Sequence, residues 1–136
     1  MAKLLVITHD DVLAAAYTAR LRREGCEVER CRTGDEGLSK ARRWTPDLIL
    51  LDLLLPGLHG LDVIKWLREV PWLVKVHVVL LVERTIAPEV LDECLLWGAG
   101  SYLQKDACSV SELVAHVQGV LAATSGNGAL LSEEPT

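Results

Sequence analysis

The sequence predicts an α/β fold in which five parallel strands alternate with helices that cover both faces of a single sheet. Short, nearly continuous apolar runs alternate along the 136 residues with longer segments of helical spacing. Continuous apolar runs are typical of strands that are buried on both faces, as in parallel sheets. Capping motifs separate the two kinds of segment, so each strand is expected to lead into a helix.

The predicted strands lie, in chain order, at 4–7, 26–31, 48–51, 76–82 and 102–103. The second, with the sequence C-E-V-E-R-C, alternates between apolar and charged residues as an edge strand does. The segments between the strands place apolar residues three or four positions apart, which is the spacing of an amphipathic helix. From the first helix to the last, these residues are Leu13, Ala16, Tyr17 and Leu21; Leu38 and Ala41; Leu61, Ile64 and Leu67; Val90, Leu91, Cys94 and Leu95; and Val110, Leu113, Val114, Val117 and Leu121.

Local motifs mark where these helices begin and end. Thr33 with Glu36, and Ser109 with Glu112, form capping boxes ahead of two helical segments. Asp10 precedes the first helix, where a carboxylate can accept backbone N–H groups and oppose the helix dipole. Glycines that suit a left-handed cap follow two of the helices, at Gly25 and Gly98.

Composition excludes several classes of function. The formal net charge is −5, so the chain has no general attraction to nucleic acid or to an anionic membrane. No apolar run is long enough for a secretory signal or a membrane span. The four cysteines are expected to be reduced thiols of a cytoplasmic protein. From Thr124 onward the composition changes, which predicts one domain at 1–123 and a flexible tail or linker at 124–136.

In a parallel sheet, functional residues collect where the strands end, at the carboxyl edge. The residues predicted at this edge are Thr8, His9, Asp10, Asp52, Val82, Glu83 and Lys105. Asp52 is the strongest candidate for chemistry, because a carboxylate there can act as a nucleophile and form an acyl phosphate. Such a transfer needs cations to offset the charge on the phosphoryl oxygens, and Lys105 can supply one. The alternative is a structural ion pair between these two residues, and spacing alone favours neither interpretation.

Four stretches of the sequence match a known pattern: K-L-L-V-I at 3–7, P-D-L-I-L-L-D at 46–52, Leu55-Pro56 with Gly60, and G-A-G-S-Y-L-Q-K at 98–105. With these stretches the chain resembles the receiver domain of two-component response regulators, over residues 3 to about 123. The combination is specific, whereas any one stretch alone would be weak. The resemblance implies a flavodoxin-like, doubly wound (βα)5 fold whose parallel sheet has the strand order 2-1-3-4-5.

The resemblance also implies roles and partners. Asp52 matches the phosphoacceptor, Lys105 the lysine that contacts the phosphoryl group, and Tyr102 the aromatic residue that changes rotamer on activation. The implied function is phosphorelay signal transduction rather than enzymatic catalysis. The implied partners are a sensor histidine kinase or phosphotransfer protein, a downstream protein or fused output domain, and a second copy that docks through the fourth helix, fifth strand and fifth helix. An exposed Trp97 would anchor that interface.

Several positions depart from the family pattern. Where the family has two acidic residues that hold Mg²⁺, this chain has Thr8 and His9, whose hydroxyl and imidazole suit a hard cation poorly. Asp10 comes one residue late and is expected to point into the helix, so Asp10 and Asp52 offer at most a weak metal site. Val82 replaces the hydroxyl-bearing residue that would bond a phosphoryl oxygen.

Three further differences concern the surroundings of the site. Asp106 stands where the family has a proline, and is expected to draw Lys105 away from Asp52. His59 replaces an aspartate in a surface loop, which is a lesser change. His9 is interpreted as an edge histidine that is hydrogen-bonded to Asp52.

These departures favour a pseudo-receiver, which keeps the fold, has a degraded magnesium pocket and acts by protein–protein contact. The alternative within the family is a working phosphoacceptor at Asp52, with Asp10 turned inward to bind the metal. Two functions from other classes stay open: a flavodoxin-like binding protein for a nucleotide or small ligand, and a small hydrolase with Asp52 as its nucleophile. The first needs a Gly-rich phosphate cradle that the loops lack. The second needs further carboxylates to hold Mg²⁺.

Overall fold

Strands and helices alternate as the sequence predicts in the computed structural model, which describes the backbone of residues 1–133 and the side chains of residues 1–124. The strands are β1 (Lys3–Ile7), β2 (Glu27–Cys31), β3 (Leu48–Asp52), β4 (His77–Val82) and β5 (Ser101–Gln104). The helices are α1 (Asp11–Arg23), α2 (Gly34–Trp44), α3 (Gly60–Glu69), α4 (Pro88–Leu96) and α5 (Val110–Glu133). A short 3-10 helix at Pro71–Leu73, absent from the prediction, precedes β4.

Neighbouring strands of the sheet are parallel, in the order β2-β1-β3-β4-β5. This confirms the doubly wound, flavodoxin-like order that the resemblance implies. The register sets Ile7 opposite Leu51 and Asp52 opposite Leu81. Because parallel strands end on the same side, the residues that follow them meet at one edge of the sheet. We call this edge the rim, and its residues are Thr8, Asp52, Glu83 and Lys105.

The sheet is covered on both faces, and its strand residues divide between two cores. Leu5 and Ile7 face a core closed by α2, α3 and α4, whereas Leu4 and Val6 face a core closed by α1 and α5. Every residue of β3 is buried. The strands read as unbroken apolar runs because both faces of a central parallel strand lie in a core. Each buried Leu side chain contributes about 2 kcal/mol to the free energy of unfolding.

The two edge strands expose little regular backbone. β2 alternates, with Val28 buried and Glu27 and Glu29 exposed, as the sequence pattern predicts for an edge strand. β5 contains only four residues. The charged side chains of β2 and the shortness of β5 both limit the free strand that another chain could extend.

The predicted N-terminal cap of α1 is present, and so are the predicted glycine caps that follow α1 and α4. The Asp10 carboxylate accepts hydrogen bonds from the N–H groups of Val12 and Leu13, each at 3.0 Å. Gly25 and Gly98 have φ angles of 93° and 96°. This left-handed conformation, which favours glycine, ends α1 and α4 as predicted.

The predicted capping box at Ser109 forms in full, whereas the one at Thr33 forms in part, because Glu36 bonds to the residue before the cap. The Thr33 hydroxyl accepts from the Glu36 N–H, and the Glu36 carboxylate accepts from the N–H of Arg32. The Ser109 hydroxyl accepts from the Glu112 N–H, and the Glu112 carboxylate accepts from the Ser109 N–H. The hydrogen bonds from Ser109 lower the pKa of Glu112. Each cap is worth about 1 kcal/mol of helix stability.

Arg68, in the last turn of α3, joins three parts of the fold. Its Nε and Nη2 donate to the carbonyl oxygens of Trp97 and Gly98 at 3.0 and 2.9 Å, and its Nη1 donates to those of Leu73 and Val76 at 3.0 and 3.1 Å. Burial lowers the pKa of the guanidinium. Since Trp97 and Gly98 end α4, the cation also opposes the negative end of the α4 dipole.

The last helix continues past residue 123, where the sequence predicts the domain to end. α5 runs to Glu133, and its sequence there mixes the strong helix formers Ala and Leu with two glycines. The division into a domain at 1–123 and a flexible tail or linker at 124–136 stays a prediction, and residues 134–136 lie outside the described residues. None of the helices in the described part of the chain has the length and apolar character that a membrane span needs.

The four cysteines are free thiols, and Cys94 on α4 is fully buried. Burial raises the pKa of Cys94 from its ordinary value of 9.0 to about 11. Above pH 9 the thiol of the unfolded chain ionises while that of the folded chain stays neutral. We therefore expect the free energy of unfolding to fall as the pH rises, by about 2–3 kcal/mol from this group at pH 11.

Urea unfolding at intervals between pH 8 and pH 11 measures this effect. The variant Cys94→Ala should be less stable than the natural chain at pH 8 because it leaves a cavity, but its stability should fall less steeply with pH. Parallel curves for the two proteins would show that Cys94 does not contribute to the alkaline loss.

Candidate functional site

Asp52 ends β3 at the rim, and its side chain is almost fully enclosed, with 2% of the residue exposed. Its Oδ1 accepts the N–H of Leu54 at 3.1 Å. Its Oδ2 accepts the hydroxyl proton of Thr8 at 2.8 Å. The Nζ of Lys105 lies 3.0 Å from both oxygens. These contacts compensate the carboxylate for the water that it loses on burial.

Lys105 follows β5 and bridges two carboxylates. Besides Asp52, its Nζ contacts Oε1 of Glu83 at 2.7 Å. Burial by itself lowers the pKa of Lys105, but the hydrogen bonds to Glu83 and Asp52 outweigh it and raise the pKa overall. The ammonium group is therefore charged throughout the neutral range, and it is shared between the two anions.

The expectation that Asp106 draws Lys105 away from Asp52 is wrong. Asp106 pairs with Arg84 at 3.0 Å, and Lys105 keeps both of its contacts to Asp52. Successive side chains at a strand end point in different directions. Lys105 consequently turns toward the rim while its neighbour turns toward solvent.

Thr8 is fully buried directly after β1 and acts as a hydrogen-bond hub. Its hydroxyl donates to Asp52 and accepts the N–H of Asp10 at 3.1 Å. Its carbonyl oxygen accepts two hydrogen bonds from Arg30. The interpretation of His9 as the hydrogen-bond partner of Asp52 is wrong, because Thr8 takes that place and the His9 side chain is exposed.

The residues that could hold a metal ion do not converge at the rim. As expected, Asp10 points into the helix, and its Oδ1 is engaged by the first turn of α1. Both oxygens of Asp52 already contact Lys105. Across the described residues, no group of three or more His, Cys, Asp or Glu side chains is arranged to hold a metal ion. Mg²⁺ prefers an octahedral set of oxygen ligands, and the rim side chains do not present one.

Val82 and Tyr102, the two switch positions, lie on the same face of the sheet. Val82 ends β4 and is buried, and its side chain offers no hydrogen-bond donor to the rim. Tyr102 is 43% exposed and pairs with Leu80 of β4. Paired residues of parallel strands point to the same face, and Leu80 belongs to the core closed by α2, α3 and α4. Tyr102 therefore lies at the sheet edge on the side that α4 covers.

The sequence places Glu83 at this edge without indicating a role for it, and it indicates Thr8 only as a poor metal ligand. The signal for Glu83 was its position one residue beyond β4, next to the end of β5 that carries Lys105. For Thr8, the signal is a small hydroxyl-bearing residue directly after the buried strand β1. Both residues turn out to be direct partners of the Asp52–Lys105 pair.

A cleft of about 230 Å³ lies beside the rim, between the loops that follow β3 and β4. Leu53, Leu54, Ile86 and Val90 form much of its wall. His59 borders it and uses Nδ1 to accept the Leu61 N–H at the start of α3. Pockets for drug-sized ligands usually hold about 300–1,000 Å³, so this cleft is small for a nucleotide.

A model of the response regulator receiver domain matches residues 4–118. The chain belongs to this family. It is a receiver domain of two-component signalling, and receiver domains are signalling proteins rather than enzymes as a class. The match covers β1 to α5, and so includes the whole rim.

Known receivers are similar in sequence and in structure. The DNA-binding response regulator MtrA of Mycolicibacterium smegmatis is 37% identical over 119 residues, which are 88% of this chain and 50% of that protein. The chain thus spans about half the length of the curated relatives that it matches. The chemotaxis response regulator CheY4 of Vibrio cholerae superposes with a TM-score of 0.81 at 28% identity, over 88% of this chain and 98% of that one.

A third comparison supports the fold alone. A CheY-like receiver domain protein from Methanospirillum hungatei is 21% identical, and superposes with a TM-score of 0.85 over 93% of this chain and 98% of that one. The five-stranded receiver architecture is therefore the same at low sequence identity.

Proposed function

We propose that this receiver is atypical: its rim is a closed ion-pair site with a degraded magnesium pocket, and it signals by contact with other proteins. The observation that carries the proposal is the occupation of both Asp52 oxygens by Lys105 and Thr8. In this arrangement a hydroxyl stands beside Asp52 at the position where the resemblance expects a metal-binding carboxylate.

The chemistry of phosphorylation explains why this matters. An oxygen of Asp52 would attack the phosphorus of a donor, form a P–O bond and expel the leaving group. Negative charge spreads over the phosphoryl oxygens as this happens, and cations must offset it. At this rim Lys105 supplies positive charge, but Glu83 adds negative charge 2.7 Å from it. Loss of the metal contribution costs several kcal/mol of stabilisation.

The switch positions support the same proposal. A buried Val82 cannot donate a hydrogen bond to a phosphoryl oxygen, so it cannot pull the loop after β4 toward Asp52. Without that movement nothing couples Asp52 to the rotamer of Tyr102. The receiver then signals through contacts between its surface and other proteins, and not through a conformational switch that phosphorylation drives.

The partners that we infer are those of the family. Upstream these are a sensor histidine kinase or a phosphotransfer protein. Downstream the receiver contacts a separate protein or a fused output domain. Support for an output domain comes from the relatives, of whose length this chain spans about half and which include proteins named as DNA-binding regulators.

A working phosphoacceptor is the second candidate. One observation favours it: Lys105 lies 3.0 Å from both oxygens of Asp52, which matches the pair that the resemblance requires. In that case Asp52 is phosphorylated, and Asp10, released from the α1 cap, would hold Mg²⁺ together with Asp52. The metal would offset the charge on the phosphoryl oxygens.

Restoring the missing groups should restore phosphorylation. We expect the natural chain to stay largely unmodified with acetyl phosphate and Mg²⁺, whereas Thr8→Asp/His9→Asp/Val82→Thr gains one phosphoryl group. The added carboxylates bind the metal and the hydroxyl bonds the phosphoryl oxygen, so the rate should rise by about 100-fold or more. Intact-mass spectrometry measures the product.

The same triple variant with Asp52→Asn is the control, and it should stay unmodified. Rapid, stoichiometric modification of the natural chain at Asp52 would contradict the proposal and establish the second candidate.

A further inference from the structure

Two tryptophans and two arginines are exposed on the outer side of α2, α3 and the 3-10 helix. Trp66 of α3 is 58% exposed, and Trp72 of the 3-10 helix is 57% exposed. Arg42 and Arg43 lie in the last turn of α2, and both are exposed. Trp, Tyr and Arg are enriched among the interface residues that carry most of the binding energy. We call the surface formed by these four residues, together with Leu38 and Glu69, the α2–α3 surface.

Contacts between the elements place these residues on a common face. A Cβ atom at Gly34 of α2 would lie 2.8 Å from Cγ2 of Val63, so the Val63 flank of α3 faces α2. Trp66 follows Val63 by three residues and lies one turn further along the same flank. The indole N–H of Trp72 donates to the carbonyl oxygen of Arg42 at 3.0 Å, which holds the ring beside the end of α2.

A groove of about 520 Å³ separates α2 from the 3-10 helix, and its walls include Leu38, Arg42, Arg43 and Trp72. Neither arginine forms an ion pair with another residue that the structure describes. The Nε of Arg43 donates to the carbonyl oxygen of Ser39 at 3.3 Å, which is an uncharged acceptor. The two guanidinium groups therefore keep their charge available to a partner.

The two sides of this surface carry opposite charges at matching levels. Both helices follow parallel strands and return along the same face of the sheet, so they run in the same direction. Counting about 1.5 Å per residue from the contact between the helices, Arg42 lies within about 3 Å of the level of Glu69. By the same count Leu38 lies level with Trp66. The α2 side is thus basic and the α3 side acidic, with apolar residues beside both.

We propose that a second copy of this chain binds the α2–α3 surface, in a two-fold symmetric dimer in which α2 of each copy faces α3 of the other. In a two-fold contact every pairing between two different residues forms twice. Arg42 and Arg43 then face Glu69 of the partner subunit, and Leu38 faces Trp66 of the partner subunit. The surface is therefore complementary to itself in charge and in apolar contact.

The face that the resemblance implies for a second copy has no such complementarity. The segments 88–96, 101–104 and 110–133 contain no lysine or arginine. Its acidic residues are Glu89, Asp92 and Glu93 of α4 and Glu112 of α5. A two-fold contact through that face would bring acidic residues together, which costs binding energy.

One pairing in the proposed dimer is unfavourable. Asp35, in the first turn of α2, also borders the groove, about 10 Å from Arg42 along the helix. It lies near the level of Asp62, an exposed residue in the first turn of α3. The dimer is consequently centred on the C-terminal halves of the two helices, and Asp35→Asn should strengthen it.

Sedimentation-velocity ultracentrifugation of the full chain tests the proposal. We expect a dimer that dissociates on dilution, with a Kd between about 1 μM and 1 mM. Trp66→Ala should weaken it by about 30-fold, because the lost contact occurs twice. Leu96→Ala removes a side chain of α4 that is 84% exposed, and it should leave the Kd unchanged. A chain that stays monomeric up to about 1 mM would refute the dimer.

An exchange of charges tests which residues meet. Arg43→Glu and Glu69→Arg should each weaken self-association by about tenfold, because each brings like charges together. An equal mixture of the two variants should form a heterodimer as tightly as the natural chain dimerises, since every pair is again of opposite charge. Arg23→Glu reverses an arginine in the last turn of α1; it is the matched control and should have no effect.

Two results would overturn the proposal even if the chain dimerises. One is a mixture that associates no better than its separate variants. The other is a dimer that Leu96→Ala disrupts and Trp66→Ala does not, since the second copy would then occupy the α4 face. The dimer does not depend on the proposed function, because α2 and α3 end at the edge of the sheet opposite the rim. Its measurement needs neither acetyl phosphate nor Mg²⁺, so either proposal can fail alone.

Discussion

Replacing Lys105 with methionine is expected to lower the free energy of unfolding by about 3 kcal/mol at neutral pH. The substitution leaves Asp52, which is 2% exposed, as a buried carboxylate without its cation. The contacts from Thr8 and Leu54 remain, but neither partner carries a charge. Glu83 is partly exposed and can regain water, so most of the cost comes from Asp52. Urea unfolding at pH 7 measures the loss.

Lys75→Met is the matched control, since it removes a lysine that is exposed on the surface, and it should change stability by less than about 0.5 kcal/mol. The double variant Asp52→Asn/Lys105→Met should recover much of the loss, because it removes the buried charge along with its partner. Equal stabilities of Lys105→Met and Lys75→Met would mean that the rim pair contributes nothing to the fold.

Replacing Arg68 with methionine is expected to cost about 3 kcal/mol of unfolding free energy. The change removes the guanidinium from four backbone carbonyl oxygens. Leu73 keeps the hydrogen bond from the N–H of Val76, and water can reach the exposed contacts at Trp97 and Gly98. A buried acceptor left unpaired costs about 1–3 kcal/mol, so a total of about 3 kcal/mol is expected. The substitution also removes the cation from the end of α4. We expect hydrogen exchange to accelerate most in α4, which Arg68 holds at Trp97 and Gly98.

Arg23→Met, at an exposed position of α1, is the control for loss of an arginine charge. Arg68→Lys should be intermediate, because an ammonium group cannot reach carbonyl groups on both sides as the planar guanidinium does. Uniform exchange in all helices of Arg68→Met would show that Arg68 stabilises the fold as a whole and has no special connection to α4.

The sheet and the position of its rim follow from local sequence features. Unbroken apolar runs such as 48–51 indicate strands that are buried on both faces, and parallel strands bring their carboxyl ends together. Asp52 and Lys105 end two such strands, so their proximity follows from the topology. The strand order itself came from the resemblance, because apolar periodicity does not say which strands are neighbours.

The hydrogen-bond partners of the rim could not be predicted in the same way. Asp106 was expected to compete for Lys105, and His9 was expected to bond to Asp52. Each choice depends on the direction of a single side chain where a strand becomes a loop, and that direction changes from one residue to the next. Thr8 and Glu83 became partners of the pair because the backbone directs them inward, which no periodic pattern encodes.

The charged β2 edge and the four-residue β5 edge limit how other chains can approach. A peptide that adds to a sheet as an extra strand needs a long, uninterrupted row of free backbone groups. This receiver offers no such row at β5, immediately beside the apolar side chains of α4. Recognition there must consequently rely on side chains packed against side chains, and a partner that docks by extending the sheet should bind poorly. By the same reasoning, short and charged edge strands disfavour edge-to-edge association of sheets.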